Sequence, residues 1–210
     1  MRKLAFVATL FAFALLADLA SAQQADVALG FGTIMAPSAS SCSNGGSLCA
    51  ERGGLYPSVG FDVIFHRRFG FGYDVTWRGG QASYPSTGQP YRPIINNFNA
   101  VFQPRLGKKV GLDLVGGIGF QDVRAYGYQP TSSCYYFGAC FTSTFHFLAD
   151  VGGGIRYYFW HHAFIRPEVR YYWINNNNSG NLFSGNTISF TSGNVLRVGG
   201  SIGYTIGGPE

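Results

Sequence analysis

Residues 69 to 80 read FGFGYDVTWRGG, with Phe69, Phe71, Tyr73, Val75 and Trp77 on odd positions and Gly70, Gly72, Asp74, Thr76 and Arg78 on even ones. Successive side chains of an extended strand point to opposite faces, so this is a strand with one wholly apolar face and one face carrying both signs of charge. In water the aromatic face is buried and the charges are solvated. In lipid the assignment inverts.

The pattern recurs along the chain. Leu55, Val59, Phe61, Val63 and Phe65 oppose Ser58, Asp62 and His66, and Val110, Leu112, Leu114, Ile118 and Phe120 oppose Asp113 and Gln121. Phe147, Ala149, Val151, Ile155, Tyr157 and Phe159 oppose His146, Asp150 and Arg156, while Tyr171 and Trp173 oppose Arg166, Glu168, Arg170 and Tyr172. Three weaker segments follow the rule. Val27, Leu29 and Phe31 face away from small residues, Phe98, Ala100 and Phe102 from Asn99, Gln103 and Arg105, and Val198, Ile202, Tyr204 and Ile206 from Arg197, Ser201 and Thr205. Eight strands result. Charged residues make up 12% of the chain, against about 25% in ordinary soluble domains, while 30 Gly, 19 Phe and 13 Tyr suit a strand-rich chain with tight bends.

Short links fall at Arg67-Arg68, at Gly107-Lys108-Lys109 and at His161-His162, and long ones at about 37–54, 80–93, 126–143 and 175–193. Short turns on one side, long loops on the other and an even strand number are the plan of an up-and-down transmembrane barrel of the bacterial outer-membrane type. About 9 to 11 tilted residues per strand suffice to cross, and closure leaves no unpaired backbone group in lipid. Read this way, Phe61, Phe69, Phe71, Tyr73, Trp77, Phe147, Tyr157, Phe159, Tyr171, Trp173 and Tyr204 face lipid, with Trp77, Tyr157 and Trp173 near strand ends suited to the interfacial girdles. Residues 1–22 form a signal peptide, with Arg2 and Lys3, an apolar run from Leu4 to Leu16 and a small-x-small site at Ala20-Ser21-Ala22. Cleavage after Ala22 leaves a single barrel domain, 23–210. Lys+Arg then falls from 15 to 13 and Asp+Glu from 10 to 9, a net charge of +4 without a basic stripe, which does not support nucleic-acid binding.

The lumen of an eight-stranded barrel is wide enough only for side chains. The inward positions place Asp62, Asp74, Asp113, Asp150 and Glu168 against Arg78, Arg105, Arg156, Arg166, Arg170 and Arg197, a charge network whose burial requires pairing. Inward glycines such as Gly60, Gly72, Gly117, Gly152 and Gly199 leave room for the arginines, so the interior reads as a polar plug.

Arg197-x-Gly199-x-x-Ile202-x-Tyr204 is similar to the last-strand signal that eight-stranded outer-membrane β-barrels present to the barrel-assembly machinery. With the strand pattern, the mature chain resembles that group, the outer membrane protein A transmembrane domain and its single-domain relatives. The resemblance implies an outer-membrane location, a setting of outer-membrane lipids and lipopolysaccharide, and long loops facing outward that are free to engage an extracellular ligand.

The four cysteines, Cys42, Cys49, Cys134 and Cys140, lie in long links of an exported chain. Disulfides are expected, with Cys42–Cys49 and Cys134–Cys140 favoured because short loops close most cheaply. The gaps exceed zinc-ligand spacing, and no metal or other cofactor is expected. His146 with Asp150 and His66 with Asp62 share faces but stand four residues apart, about 13 Å along a strand, too far for a dyad whose members need about 3 Å. The expectation is therefore a non-enzymatic barrel with a structural or surface-interaction role. The rivals are a secreted lipocalin-like barrel with an apolar interior and a narrow conduit for small hydrophobic molecules.

Overall fold

The computed structural model describes residues 24–36, 53–65, 68–83, 90–126, 141–175 and 193–207. The signal peptide, all four cysteines and His66 lie outside the described residues.

Nine strands form one antiparallel sheet: β1 (Gln24–Met35), β2 (Tyr56–Phe65), β3 (Phe69–Trp77), β4 (Ala82–Ser83), β5 (Pro90–Phe102), β6 (Val110–Tyr126), β7 (Phe141–Trp160), β8 (Ala163–Ile174) and β9 (Asn194–Gly207). Their order is β3-β2-β1-β9-β8-β7-β6-β5-β4, and β3 also pairs with β5, which closes the sheet. β5 runs beside β3 from Phe69↔Phe102 to Trp77↔Ile94, then beside β4 at Ala82↔Tyr91 and Ser83↔Pro90, so β3 and β4 are two pieces of one stave. The barrel thus has eight staves, the number the alternation predicts.

Most strand bounds fall within a few residues of the expected ones. Three extend well into expected loops. β5 begins at Pro90, not near Asn96, because a proline costs nothing at the first position of a strand, and Pro93 lies beside the 78–81 interruption, where its carbonyl accepts a hydrogen bond from the Arg78 N–H (3.1 Å). β6 and β7 reach 17 and 20 residues, pairing from Val110↔Tyr157 out to Tyr126↔Phe141, beyond the 110–121 and 145–159 that the alternation covers.

The short links gather at one end, here the turn end, where Gln24 of β1 pairs with Gly207 of β9. At this end Arg68 N–H donates to the Phe65 carbonyl (3.2 Å) and Leu106 N–H to the Val110 carbonyl (2.9 Å). The other connections leave from the opposite, loop end.

The faces divide as an inverted protein. Phe71 is 69% exposed and Val151 47%, whereas Thr76, His146 and Arg197 are buried in the interior. Every aromatic assigned to the lipid side points outward, Trp77 and Tyr171 half-buried against neighbours, the latter with its ring 4.9 Å from that of Trp173. Inside, an apolar layer of Ile34, Ala36, Tyr56, Ile95, Leu148, Tyr172, Ile174 and Val195 closes the loop end, and a smaller one of Ile64, Val101 and Val115 lies toward the turns. The charges fill the lumen from beneath the loop-end layer down to the turn end, alongside the smaller apolar group.

Candidate functional site

The charged groups of the lumen network come from inward positions of seven of the eight staves, all but β5, which adds Asn97 and Asn99. Near the turn end, Arg156 on β7 places Nη1 2.5 Å from Asp26 of β1 and Nη2 2.9 Å from Asp113 of β6. Its guanidinium lies 4.0 Å from the centroid of the Phe164 ring, whose edge passes over Gly203 where a Cβ would collide with it. Gln24 donates to both oxygens of Asp26 at 3.0 and 2.9 Å, and Gln103 reaches it at 3.4 Å.

One layer up, Arg166 on β8 contacts Asp113 at 3.0 Å, Glu168 at 3.3 Å and Asp62 at 3.5 Å, and donates to Ser201 Oγ at 3.2 Å. Arg197 on β9 holds Glu168 at 2.5 Å and donates to Ser58 Oγ at 2.8 Å. Arg170 reaches across the barrel from β8 to Asp74 on β3, which also accepts from Asn97 (3.2 Å) and Asn99 (2.6 Å). Asp150 has Arg170 as its nearest cation, at 3.8 Å.

Nine of the eleven residues expected in the network are therefore brought together: Asp62, Asp74, Asp113, Asp150, Glu168, Arg156, Arg166, Arg170 and Arg197. Two are not. Arg105 lies beyond the end of β5, past Pro104, where the two-residue alternation no longer applies, and it is exposed at the turn end. Arg78 follows the end of β3 and turns to the loop end, where its Nη1 donates to the Gly53 carbonyl at 3.0 Å. Gly53 and Gly54 take positive φ of 68° and 97°, so the chain folds directly over that guanidinium in a conformation disfavoured for other residues.

Asp26 is the member that sequence reasoning missed. It is inward by the same parity as Ala28 and Gly30, but it stands at the head of a strand whose inner face otherwise reads as small. Its inclusion changes the balance. Among the described residues the network holds six carboxylates (Asp26, Asp62, Asp74, Asp113, Asp150, Glu168) and four guanidiniums (Arg156, Arg166, Arg170, Arg197), where five and six were expected. Amide donors from Gln24, Gln103, Asn97 and Asn99 stabilise the surplus negative charge.

The spaces between these side chains are about 10 and about 20 Å³, room for about one water each. His146 points inward, its Nδ1 3.2 Å from the Asn175 carbonyl rather than toward Asp150, so no acid–base pair forms between them.

A closed barrel with an apolar exterior and ion pairs inside decides the fold. It is that of the eight-stranded outer-membrane β-barrels. No family model and no curated protein matches the sequence. Among solved structures, Neisserial surface protein A matches with a TM-score of 0.57 at 10% identity, over 86% of this chain and 95% of its own. The N-terminal barrel of Pseudomonas aeruginosa OprF matches with 0.56 at 8%, over 88% and 98%, and Ail, the attachment invasion locus protein of Yersinia pestis, with 0.51 at 11%, over 87% and 98%. At such identities the likeness is one of fold. Within that fold, the residues of the expected assembly signal divide between the two faces: Ile202 and Tyr204 point outward, Gly199 packs against the Phe31 carbonyl, and Arg197 is committed to Glu168 inside.

Proposed function

We infer that this is an integral outer-membrane protein whose barrel is closed to solutes, non-catalytic, and active through what its rims and loops contact. The carrying observation is the inversion of faces: the outer wall is apolar and the interior is filled by cross-barrel ion pairs capped by an apolar layer. A soluble barrel for an apolar ligand needs the reverse arrangement. A conduit along the axis would have to pass four arginines held by carboxylates, two of which, Arg156 and Arg170, reach across the lumen to β1 and β3. Function in such a scaffold resides in sites grafted onto it. We place these among the loops facing away from the cell, with lipopolysaccharide and other outer-membrane lipids as the surroundings, and with Arg197, Gly199, Ile202 and Tyr204 read by the assembly machinery before closure.

The test is conductance together with electrophoretic mobility. Protein refolded in detergent and run unboiled should migrate differently from the boiled chain, and its insertion into planar bilayers should give no steady conductance. A protein recovered in soluble form without detergent would refute the membrane reading. A stable ohmic channel in the folded protein would refute the plug.

A further inference from the structure

Every carboxylate among the described residues lies in the lumen except Asp122, which pairs with Arg124 near the loop end. Among the described residues, the charged side chains on the surface of the turn end are therefore all cations, Arg68, Arg105, Lys108 and Lys109, with His161 and His162 beside them. Two of these turns, 103–109 and 161–162, flank a cleft of about 730 Å³. Its floor includes Tyr158 and Thr205 from the inner face, and it reaches the outer face at Val110 and Phe159.

Both turns are tied to the barrel. The Tyr158 N–H donates to the Lys109 carbonyl at 2.8 Å and the Thr205 N–H to the His162 carbonyl at 2.9 Å, while the His162 ring packs 5.7 Å from that of Tyr204. The pairing of β7 with β8 shifts register between Tyr158 and Trp160, so Phe159 and Trp160 are both exposed although they are adjacent in sequence. Trp160 is thereby left 67% exposed on the lip of the basic cleft. An indole beside cations, at the border between an apolar wall and a polar end, matches the depth at which lipid headgroups lie.

We propose that this cleft binds the phosphodiester headgroup of an anionic phospholipid in the leaflet facing the periplasm, with the acyl chains lying along the outer face past Phe159 and Val110. The proposal rests on reading the turn end as the periplasmic border of the membrane. Lys108 and Lys109 supply the charge, His161 and His162 further donors, and Trp160 the interfacial contact. The opening toward the lipid-facing wall favours a lipid over a soluble anion, since only a lipid occupies both parts.

The experiment uses Trp160 as the reporter, in full-length mature protein carrying Trp77→Phe and Trp173→Phe, which removes the other two tryptophans. The protein is folded into phosphatidylcholine vesicles containing the same mole fraction of either brominated phosphatidylglycerol or brominated phosphatidylcholine, and the shift on boiling confirms closure. A cation near a membrane surface contributes about fivefold in local partition of an anionic lipid, so phosphatidylglycerol should quench Trp160 several-fold more effectively. Lys108→Gln with Lys109→Gln should reduce the preference, the triple variant that adds Arg105→Gln should bring quenching down to the phosphatidylcholine level, and so should high salt on the unaltered cations. Equal quenching by the two lipids in the unaltered protein, or a preference that survives the triple substitution, overturns the site. Loss of the preference on adding soluble glycerol phosphate overturns the lipid in favour of a free anion. Failure of the barrel to close in vesicles would instead count against the membrane reading itself.

Discussion

Replacing Arg156 with Met tests whether the lumen is a dry, paired interior. Arg156 is 2% exposed and bridges Asp26 and Asp113 at 2.5 and 2.9 Å. Met keeps much of the volume over the Phe164 ring, so the loss is chiefly electrostatic. Asp113 retains Arg166 at 3.0 Å, whereas Asp26 keeps only amide donors from Gln24 and Gln103. One carboxylate is thus left buried without a cation, a change that costs about 3 to 5 kcal/mol. Asp26→Asn alone removes a charge-assisted bond but leaves Arg156 paired with Asp113, and should cost about 1.5 to 3 kcal/mol. The double variant removes both the cation and the orphaned charge, so its cost should fall well short of the two singles combined, with a coupling of about 1 to 3 kcal/mol. Urea unfolding in lipid vesicles, followed by tryptophan fluorescence and by the shift on boiling, gives all three values. If Arg156→Met cost less than about 1 kcal/mol and the two substitutions were additive, water would be solvating these charges and the plug would have to be abandoned.

The outer wall offers a complementary test, because Val151 is 47% exposed opposite Gly116 and Tyr171, midway along the apolar band of β7; Val151→Arg should cost about 2 to 4 kcal/mol in vesicles, and an unchanged stability would remove the lipid from that face. Gly203→Val should displace Phe164 from beneath Arg156 and lower the urea midpoint even though it adds apolar volume; a rise in midpoint would contradict the packing. Non-reducing peptide mapping should find Cys42 joined to Cys49 and Cys134 to Cys140, with the strand signal in circular dichroism unchanged on reduction, whereas Cys42 joined to Cys134 would exclude local pairing. The exported protein should begin at Gln23 and fractionate with outer membranes, and an N-terminus that retains Leu4 to Leu16 would indicate an uncleaved anchor.

The wall was legible in the sequence because a two-residue alternation is all that a stave facing lipid on one side and side chains on the other requires. Phe71 beside Gly72 or Val151 beside Gly152 already states which way each points. The rim was not, since the same rule has no force once a strand ends. Extending parity past Phe102 places Arg105 inward, yet it is exposed at the turn end, and Arg78 past Trp77 lies over the inner Tyr56 ring at the loop end, apart from the ion pairs. Asp26 shows the opposite error, where a charge at the head of a strand obeyed the rule but was overlooked beside Ala28 and Gly30. The partners within the lumen could not be read at all. Arg170 lies closer to Asp74, on a stave across the barrel, than to Asp150 on its neighbour, a choice made by barrel diameter and side-chain length.

The seam between β1 and β9, running from Gln24 opposite Gly207 to Met35 opposite Leu196, joins segments almost the whole described chain apart, whereas every other pairing joins staves consecutive in sequence. Hairpins can form as soon as both their arms exist, but this pairing must wait for the last strand and bears the largest loop-closure entropy. Until then the sheet has two bare edges, a form that lipid does not tolerate and that invites pairing with other chains. Closing and entering the bilayer are therefore coupled in time, and β9 sets the clock. A chain halted before Asn194 would keep seven staves' worth of hairpins and remain outside the membrane, held open at the edge of β1.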